Sequence, residues 1–149
     1  MEQSDSERPT KILLVEDNAV DARMTLYALR EESTWLTEIV VAEDGEKAIH
    51  YLIKQNSSNN GKNPDLVILD LNLPKRDGTE VLRFIRTTAE LESLPVIIFS
   101  SSPEKVSEAI VRGAGLQADC YMMKPANADD FLSVGSALRS SHDRAKRAA

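Results

Sequence analysis

Three features of the sequence predict a doubly wound α/β fold with one five-stranded parallel sheet and helices on both faces. Five short runs rich in Val, Ile and Leu recur along the chain, and each is followed by a segment with helical spacing. The runs lack polar alternation, which is the pattern of strands covered on both faces. Four of the five end in residues able to do chemistry, at the sheet edge where such folds bind ligands.

The runs are Ile12–Val15, Ile39–Ala42, Leu66–Leu69, Val96–Phe99 and Cys120–Met123. Helical spacing is marked first by Val20, Met24, Tyr27 and Ala28, then by Ala48, Tyr51 and Leu52. Val81, Leu82 and Ile85 mark the third helix, Val106, Ala109 and Ile110 the fourth, and Phe131, Val134 and Leu138 the fifth. Parallel neighbours need crossover connections, and these are right-handed, so the alternation places helices on both faces of the sheet. Ser102 is expected to cap the fourth helix with Pro103 at its first position, where a missing N–H costs nothing. Asn127 is expected to cap the fifth, with Asp129 and Asp130 in its first turn, favourably placed against the helix dipole.

Composition narrows the function classes. A chain of 149 residues suits one domain with its own core, and its 42% apolar and 28% charged content is that of an ordinary globular protein. A net charge of −6 argues against nucleic acid as a partner, since that binding relies on Lys and Arg neutralising phosphates. The single cysteine, Cys120, reads as a small buried hydrophobe. The polar N-terminus is no signal peptide, and no apolar run approaches the ~20 residues of a membrane span. A cytoplasmic protein with no membrane partner is expected. The domain reading is a flexible segment over 1–10, a folded domain over 11–141 and a short tail over 142–149. Asn56–Pro64 reads as an exposed polar loop, and His50 and His142 as surface residues without metal-ligand spacing.

The strand ends carry the functional signal. The first run ends at Glu16-Asp17, the third at Asp70, the fourth at Ser100 and the fifth at Lys124, whereas the second ends blandly at Val41-Ala42, as a distant edge strand would. Each residue alone has a plain explanation: Asp17 a helix cap, Asp70 a turn former, Ser100 part of a Ser-rich loop, Lys124 a surface lysine before proline. Their joint placement at one sheet edge does not. Two like charges at ~4 Å repel by about 4 kcal/mol at an effective dielectric near 20, so three gathered carboxylates call for a hard cation or a proton. Oxygen ligands with open water positions suit Mg²⁺ or Mn²⁺. A carboxylate beside such an ion can attack phosphorus, with Lys124 and Ser100 offering a positive charge and a hydroxyl to the phosphoryl oxygens.

From Lys11 to Leu138 the sequence resembles the receiver (CheY-like) family of response regulators. The motifs are Leu13-Leu-Val-Glu-Asp-Asn18, Leu66-Val-Ile-Leu-Asp-Leu-Asn-Leu-Pro-Lys-Arg-Asp-Gly78, Pro95-Val-Ile-Ile-Phe-Ser100 and Tyr121-Met-Met-Lys-Pro125. The resemblance implies the flavodoxin/CheY-like strand order 2-1-3-4-5 and a phosphorylation switch of a two-component system. Asp70 matches the aspartate phosphorylated by a histidine kinase. Glu16 and Asp17 match the acidic pair holding Mg²⁺, for which Mn²⁺ can substitute, and Asn72 matches the position whose backbone carbonyl completes the metal site. Lys124 matches the lysine on the phosphoryl group, Ser100 the switch hydroxyl, and Tyr121 the aromatic that turns inward when that hydroxyl moves. Lys124–Pro125 matches a peptide bond usually cis in the family. Asn72 and Ser102 flank the site and are expected to tune the lifetime of the phosphorylated state.

The sequence departs from the family pattern in three places. Glu16 stands for the commoner aspartate, Ser100 for the commoner threonine, and the Asn56–Pro64 loop is longer than in minimal members. The extended loop, Leu71-Asn-Leu-Pro-Lys75 and the lack of an output domain look like the small regulators paired with phytochrome-type kinases. The expected output is a face made by the fourth helix, fifth strand and fifth helix, used for homodimerisation or partner binding. Two rival classes fit less well. A phosphohydrolase resembling the haloacid dehalogenases wants a second acid where Asn72 stands, and an FMN-binding flavodoxin wants a phosphate cradle where Glu16 and Asp17 would repel it.

Overall fold

The computed structural model describes residues 8–32, 34–57 and 62–148. The chain alternates through β1 (Thr10–Val15), α1 (Ala19–Glu31), β2 (Thr37–Ala42), α2 (Gly45–Ser57), β3 (Leu66–Leu69) and α3 (Gly78–Thr87). It continues through β4 (Val96–Ser100), α4 (Glu104–Gly113), β5 (Cys120–Met123), α5 (Ala128–Phe131) and α6 (Val134–Ala148). All strand pairs are parallel, in the order β2-β1-β3-β4-β5. All five apolar runs lie within these strands, and the fold class is the expected one.

Side-chain alternation along each central strand feeds two cores. Ile12, Leu14, Ile68, Ile97 and Phe99 pack with Ala28, Leu29, Phe131, Val134 and Leu138, on the face covered by α1, α5 and α6. Leu13, Val15, Val67, Leu69 and Ile98 pack with Leu52, Val81, Leu82, Ile85 and Val111, on the face covered by α2, α3 and α4. β3 and β4 are buried throughout, while the edge strands β2 and β5 are only partly covered. Cys120, on β5, is accordingly half-buried rather than buried, and its thiol donates to Ser141 Oγ at 3.3 Å.

Two helices sit in a different rotation from the one their apolar residues suggest. On α1 the buried residues are Ala22, Thr25, Ala28 and Leu29, whereas Val20 and Tyr27 are 62% and 55% exposed. Thr25 is tolerated inside because its hydroxyl donates to Asp21 O at 2.7 Å, a bond invisible to a reading of apolarity alone. On α4, Ser107 and Val111 face inward, and Val106, Ala109 and Ile110 lie exposed. α4 also begins one residue later than expected. Pro103 is its cap, with no side-chain capping bond, and Ser102 N–H donates to Ser100 Oγ.

The last helix is divided at Leu132-Ser133, though Asn127 caps its first piece as expected and Phe131, Val134 and Leu138 are all buried. α6 runs on to Ala148. His142, read as a surface residue, is buried and stacked on Trp35 at a centroid distance of 6.0 Å. Residues 58–61 of the Asn56–Pro64 loop, and residues 1–7 of the N-terminal segment, lie outside the described residues. Among the described residues no helix is long and apolar enough to cross a membrane.

Candidate functional site

The sheet brings the strand-end residues to one edge by extending its ladder one step. Val15 is in register with Leu69, and Leu69 with Ile98, while Ser100 pairs with Met123. Beyond those pairs Glu16 N–H donates to Ala42 O at 3.0 Å, Asp70 N–H to Val15 O at 3.1 Å and Lys124 N–H to Ser100 O at 2.7 Å. Glu16, Asp70 and Lys124 therefore leave the sheet at the same edge, with β4 and Ser100 between Asp70 and Lys124. Lys124 Nζ lies 2.6 Å from Glu16 Oε1, 2.8 Å from Asp70 Oδ2 and 2.9 Å from Asp21 Oδ2.

Asp17 is exposed and makes no ion pair with Lys124 among the described residues, yet a carboxylate oxygen of each of Glu16, Asp17 and Asp70 lies within 4.8 Å of the others. Asn18 ends this turn: its side chain accepts from Val20 N and Asp21 N, capping α1. Glu16 Oε2 in turn accepts from Asn18 N at 3.1 Å, and Asp70 Oδ1 from Asn72 N at 3.1 Å.

The loop from Asp70 to α3 is clamped from two sides by close backbone approach. A Cβ on Gly78 would stand 2.4 Å from Asp70 O, and one on Gly45 would stand 1.7 Å from Arg76 O. The N-terminus of α2 thereby receives the loop directly, with Glu46 N–H donating to Lys75 O at 2.9 Å. Lys75 and Arg76 hold φ of 46° and 69°, an uncommon left-handed pair for residues with side chains. Asn72, Leu71, Pro74 and Asp77 from this loop line a cleft of about 530 Å³ together with Asp17.

Electrostatics follow from the geometry. Three carboxylates, Glu16, Asp21 and Asp70, share one ammonium, and Asp17 lies beside two of them, so acidic groups outnumber basic ones at the site. Burial pushes the Glu16 carboxyl up to about 7 despite its bond to Lys124. Burial opposes the Lys124 charge, but hydrogen bonds to Asp70, Glu16 and Asp21 outweigh it and hold the ammonium above the usual lysine range. Carboxylate oxygens in excess, one of them solvent-facing and beside an open cleft, fit a hard divalent cation that keeps some of its water.

Ser100 is fully buried at the end of β4, and its Oγ accepts from Ser102 N at 3.2 Å. No side-chain hydrogen bond joins its Oγ to Asp70 or Lys124 among the described residues. Tyr121 is half-buried on β5 against the α2–α4 core, and burial raises its phenol pKa. The Lys124–Pro125 bond is trans, contrary to the expectation from the family, since no described peptide is cis. Asp21 is the contact the sequence reading missed. It stands in the first turn of a helix that Asn18 caps, where an acid is ordinary, so its place in the sequence carries no sign of the contact.

The family model for the response regulator receiver domain matches residues 12–134. The chain belongs to that family. This receiver domain is 35% identical over 138 residues to the response regulator Rcp1 of Synechocystis sp., covering 92% of each chain. Its fold matches the phosphorylated cyanobacterial phytochrome response regulator RcpA with a TM-score of 0.77 and 37% identity, over 89% of this chain and 93% of the other. The Mn²⁺-bound form of Rcp1 matches with a TM-score of 0.75 and 33% identity, over 89% and 93%. The receiver is a signalling domain of two-component systems, and its acidic pocket is of the kind that holds Mg²⁺ or Mn²⁺ in such domains.

Proposed function

We propose that this receiver takes a phosphoryl group from a histidine kinase onto Asp70 and switches a protein-interaction surface in response. The carrying observation is the position of the Asp70 carboxylate, 2.8 Å from the Lys124 ammonium and beside two further acids at an open cleft. In this reading Glu16, Asp17, Asp70 and the Asn72 carbonyl hold Mg²⁺, or Mn²⁺ in its place. The cation supplies positive charge that offsets the incoming phosphoryl oxygens.

The chain's own residues do the rest. Asn72 N–H and Lys124 fix the two Asp70 oxygens, which leaves the carboxylate oriented before the donor arrives. As the new O–P bond forms, the N–P bond of the phosphohistidine breaks and its electron pair stays on the imidazole. Lys124 then pairs with the phosphoryl oxygens. Ser100 exchanges its bond from Ser102 for a bond to the phosphoryl group, and Tyr121 moves with that loop. The chain acts as a phosphoacceptor and not as an enzyme on other substrates; it catalyses only its own phosphoryl transfer and slow dephosphorylation.

The relatives favour a phytochrome-like kinase as donor, because Rcp1 and RcpA are similar over nearly the whole chain and RcpA is named as a phytochrome response regulator. The output face is α4, β5 and the α5–α6 segment, where Val106, Ile110 and Met123 are each 47% exposed, and a second copy of the chain is the partner we assign to it. A cytoplasmic setting with no nucleic-acid partner fits the net charge of −6. Incubation with acetyl phosphate and Mg²⁺ tests the reading: wild type takes up one phosphoryl group and Asp70→Asn takes up none. Equal uptake by both would sink it.

A further inference from the structure

The third carboxylate on Lys124 has no part in that reading. Asp21 projects from α1, an element that supplies nothing else to the ion pairs, and its oxygen lies 2.9 Å from Lys124 Nζ. It does not belong to the trio whose oxygens converge within 4.8 Å of one another. Its side chain is 27% exposed, against 1% for Glu16 and 7% for Asp70. An ammonium has three donors, and here Glu16, Asp21 and Asp70 engage it together.

Occupation of the acidic trio by a cation gives Glu16 and Asp70 a second source of positive charge. Asp21 gains none, since it stands outside the trio. It is then the carboxylate with most to lose if Lys124 turns wholly to a phosphoryl group. We infer that Asp21 is a positioning residue that holds Lys124 back, so that the lysine's pull on the phosphoryl oxygens is shared with Asp21 and the phosphorylated state is weakened. The inference rests on the phosphoacceptor reading of Asp70. Removing the charge while keeping the shape frees one donor of Lys124 and lifts a repulsion between Asp21 and the phosphoryl oxygens. With Asp21 partly exposed, that repulsion is screened to a modest size.

Beryllofluoride binding, followed by ¹⁹F resonance at saturating Mg²⁺, reads this directly because it imitates the phosphoryl group without a turnover step. Asp21→Asn and Asp21→Ala should each bind about threefold to tenfold more tightly than wild type, and Asp21→Glu should return to within about twofold of it. The acyl phosphate of Asp21→Asn should outlive that of wild type by a similar factor. Unchanged or weaker binding by Asp21→Asn overturns the inference, as does an Asp21→Glu variant that tightens as far as Asp21→Asn. Failure of the reading beneath it looks different: wild type and Asp70→Asn would then bind beryllofluoride alike.

Discussion

Lys124 Nζ stands 2.6 Å from Glu16 Oε1, and the two side chains are 6% and 1% exposed. Burying that pair is costly, and the cost is met only while each partner has the other. Lys124→Met should leave Glu16 and Asp70 uncompensated and lower stability by about 3 kcal/mol in chelator, the usual loss on breaking a buried pair. Mg²⁺ should restore more stability to the variant than to wild type, since the added cation replaces a missing charge. Thermal unfolding with and without Mg²⁺ checks both parts.

Gly45 gives a second prediction. Its missing Cβ is the space that Arg76 O occupies, and the loop so held carries Asn72. Gly45→Ala should cost about 1–3 kcal/mol, as overpacking does, and should also weaken Mn²⁺ binding, measured from the free Mn²⁺ signal by electron paramagnetic resonance. A variant that loses stability but binds Mn²⁺ as wild type does would show that the clamp does not reach the cation.

His142 predicts a pH dependence away from the site. Burial lowers its pKa, with Lys146 adding to the effect against Asp143 and Asp65. A group whose folded pKa lies below its unfolded one gives stability that is complete above about 6.5 and fades as pH falls below that value. The advantage in urea midpoint of wild type over His142→Phe should therefore shrink on acidification through this window. Glu16 acts oppositely in the cation-free protein. Its carboxyl is pushed up to about 7, so its contribution favours the folded state at low pH and is lost as pH rises through 7. Comparing wild type with His142→Phe at each pH removes that background.

The outer face of α4 supplies the fourth. Val106 and Ile110 are each 47% exposed, Ile110 at the rim of the cleft that Asp17 and Asn72 line. Val106→Glu, away from the cleft, should leave the unfolding midpoint within experimental error of wild type, because surface substitutions usually cost under about 0.5 kcal/mol. It should abolish the dimer that beryllofluoride induces, as read by light scattering. A wild-type protein that stays monomeric with beryllofluoride would contradict the dimer.

Much of this was legible in the sequence because strand ends are fixed by two-residue alternation and apolar runs, and the sheet needs no more to gather Glu16, Asp70, Ser100 and Lys124 at one edge. The helices were harder to orient. α1 buries Thr25, which satisfies its hydroxyl within its own helix, and α4 turns Ser107 inward while Val106 and Ile110 face out, so apolarity alone picked the wrong faces. His142 and Trp35 find each other across more than a hundred residues, and Asp21 reaches Lys124 from 103 residues away. Contacts of that kind depend on packing angles between helix and sheet that local pattern does not encode. The clamp of Gly45 on the Arg76 carbonyl is hidden for the same reason.

The central claim is that Asp70 is the residue phosphorylated, and chemical trapping addresses it most directly. After phosphorylation with acetyl phosphate and Mg²⁺, borohydride reduces the acyl phosphate to an alcohol, and peptide mass spectrometry locates it. Conversion of Asp70 to homoserine, absent without the phosphoryl donor, is the result expected here. Reduction at Glu16 or Asp17 with Asp70 intact, or at no carboxylate in a protein that carries the label, would contradict the account.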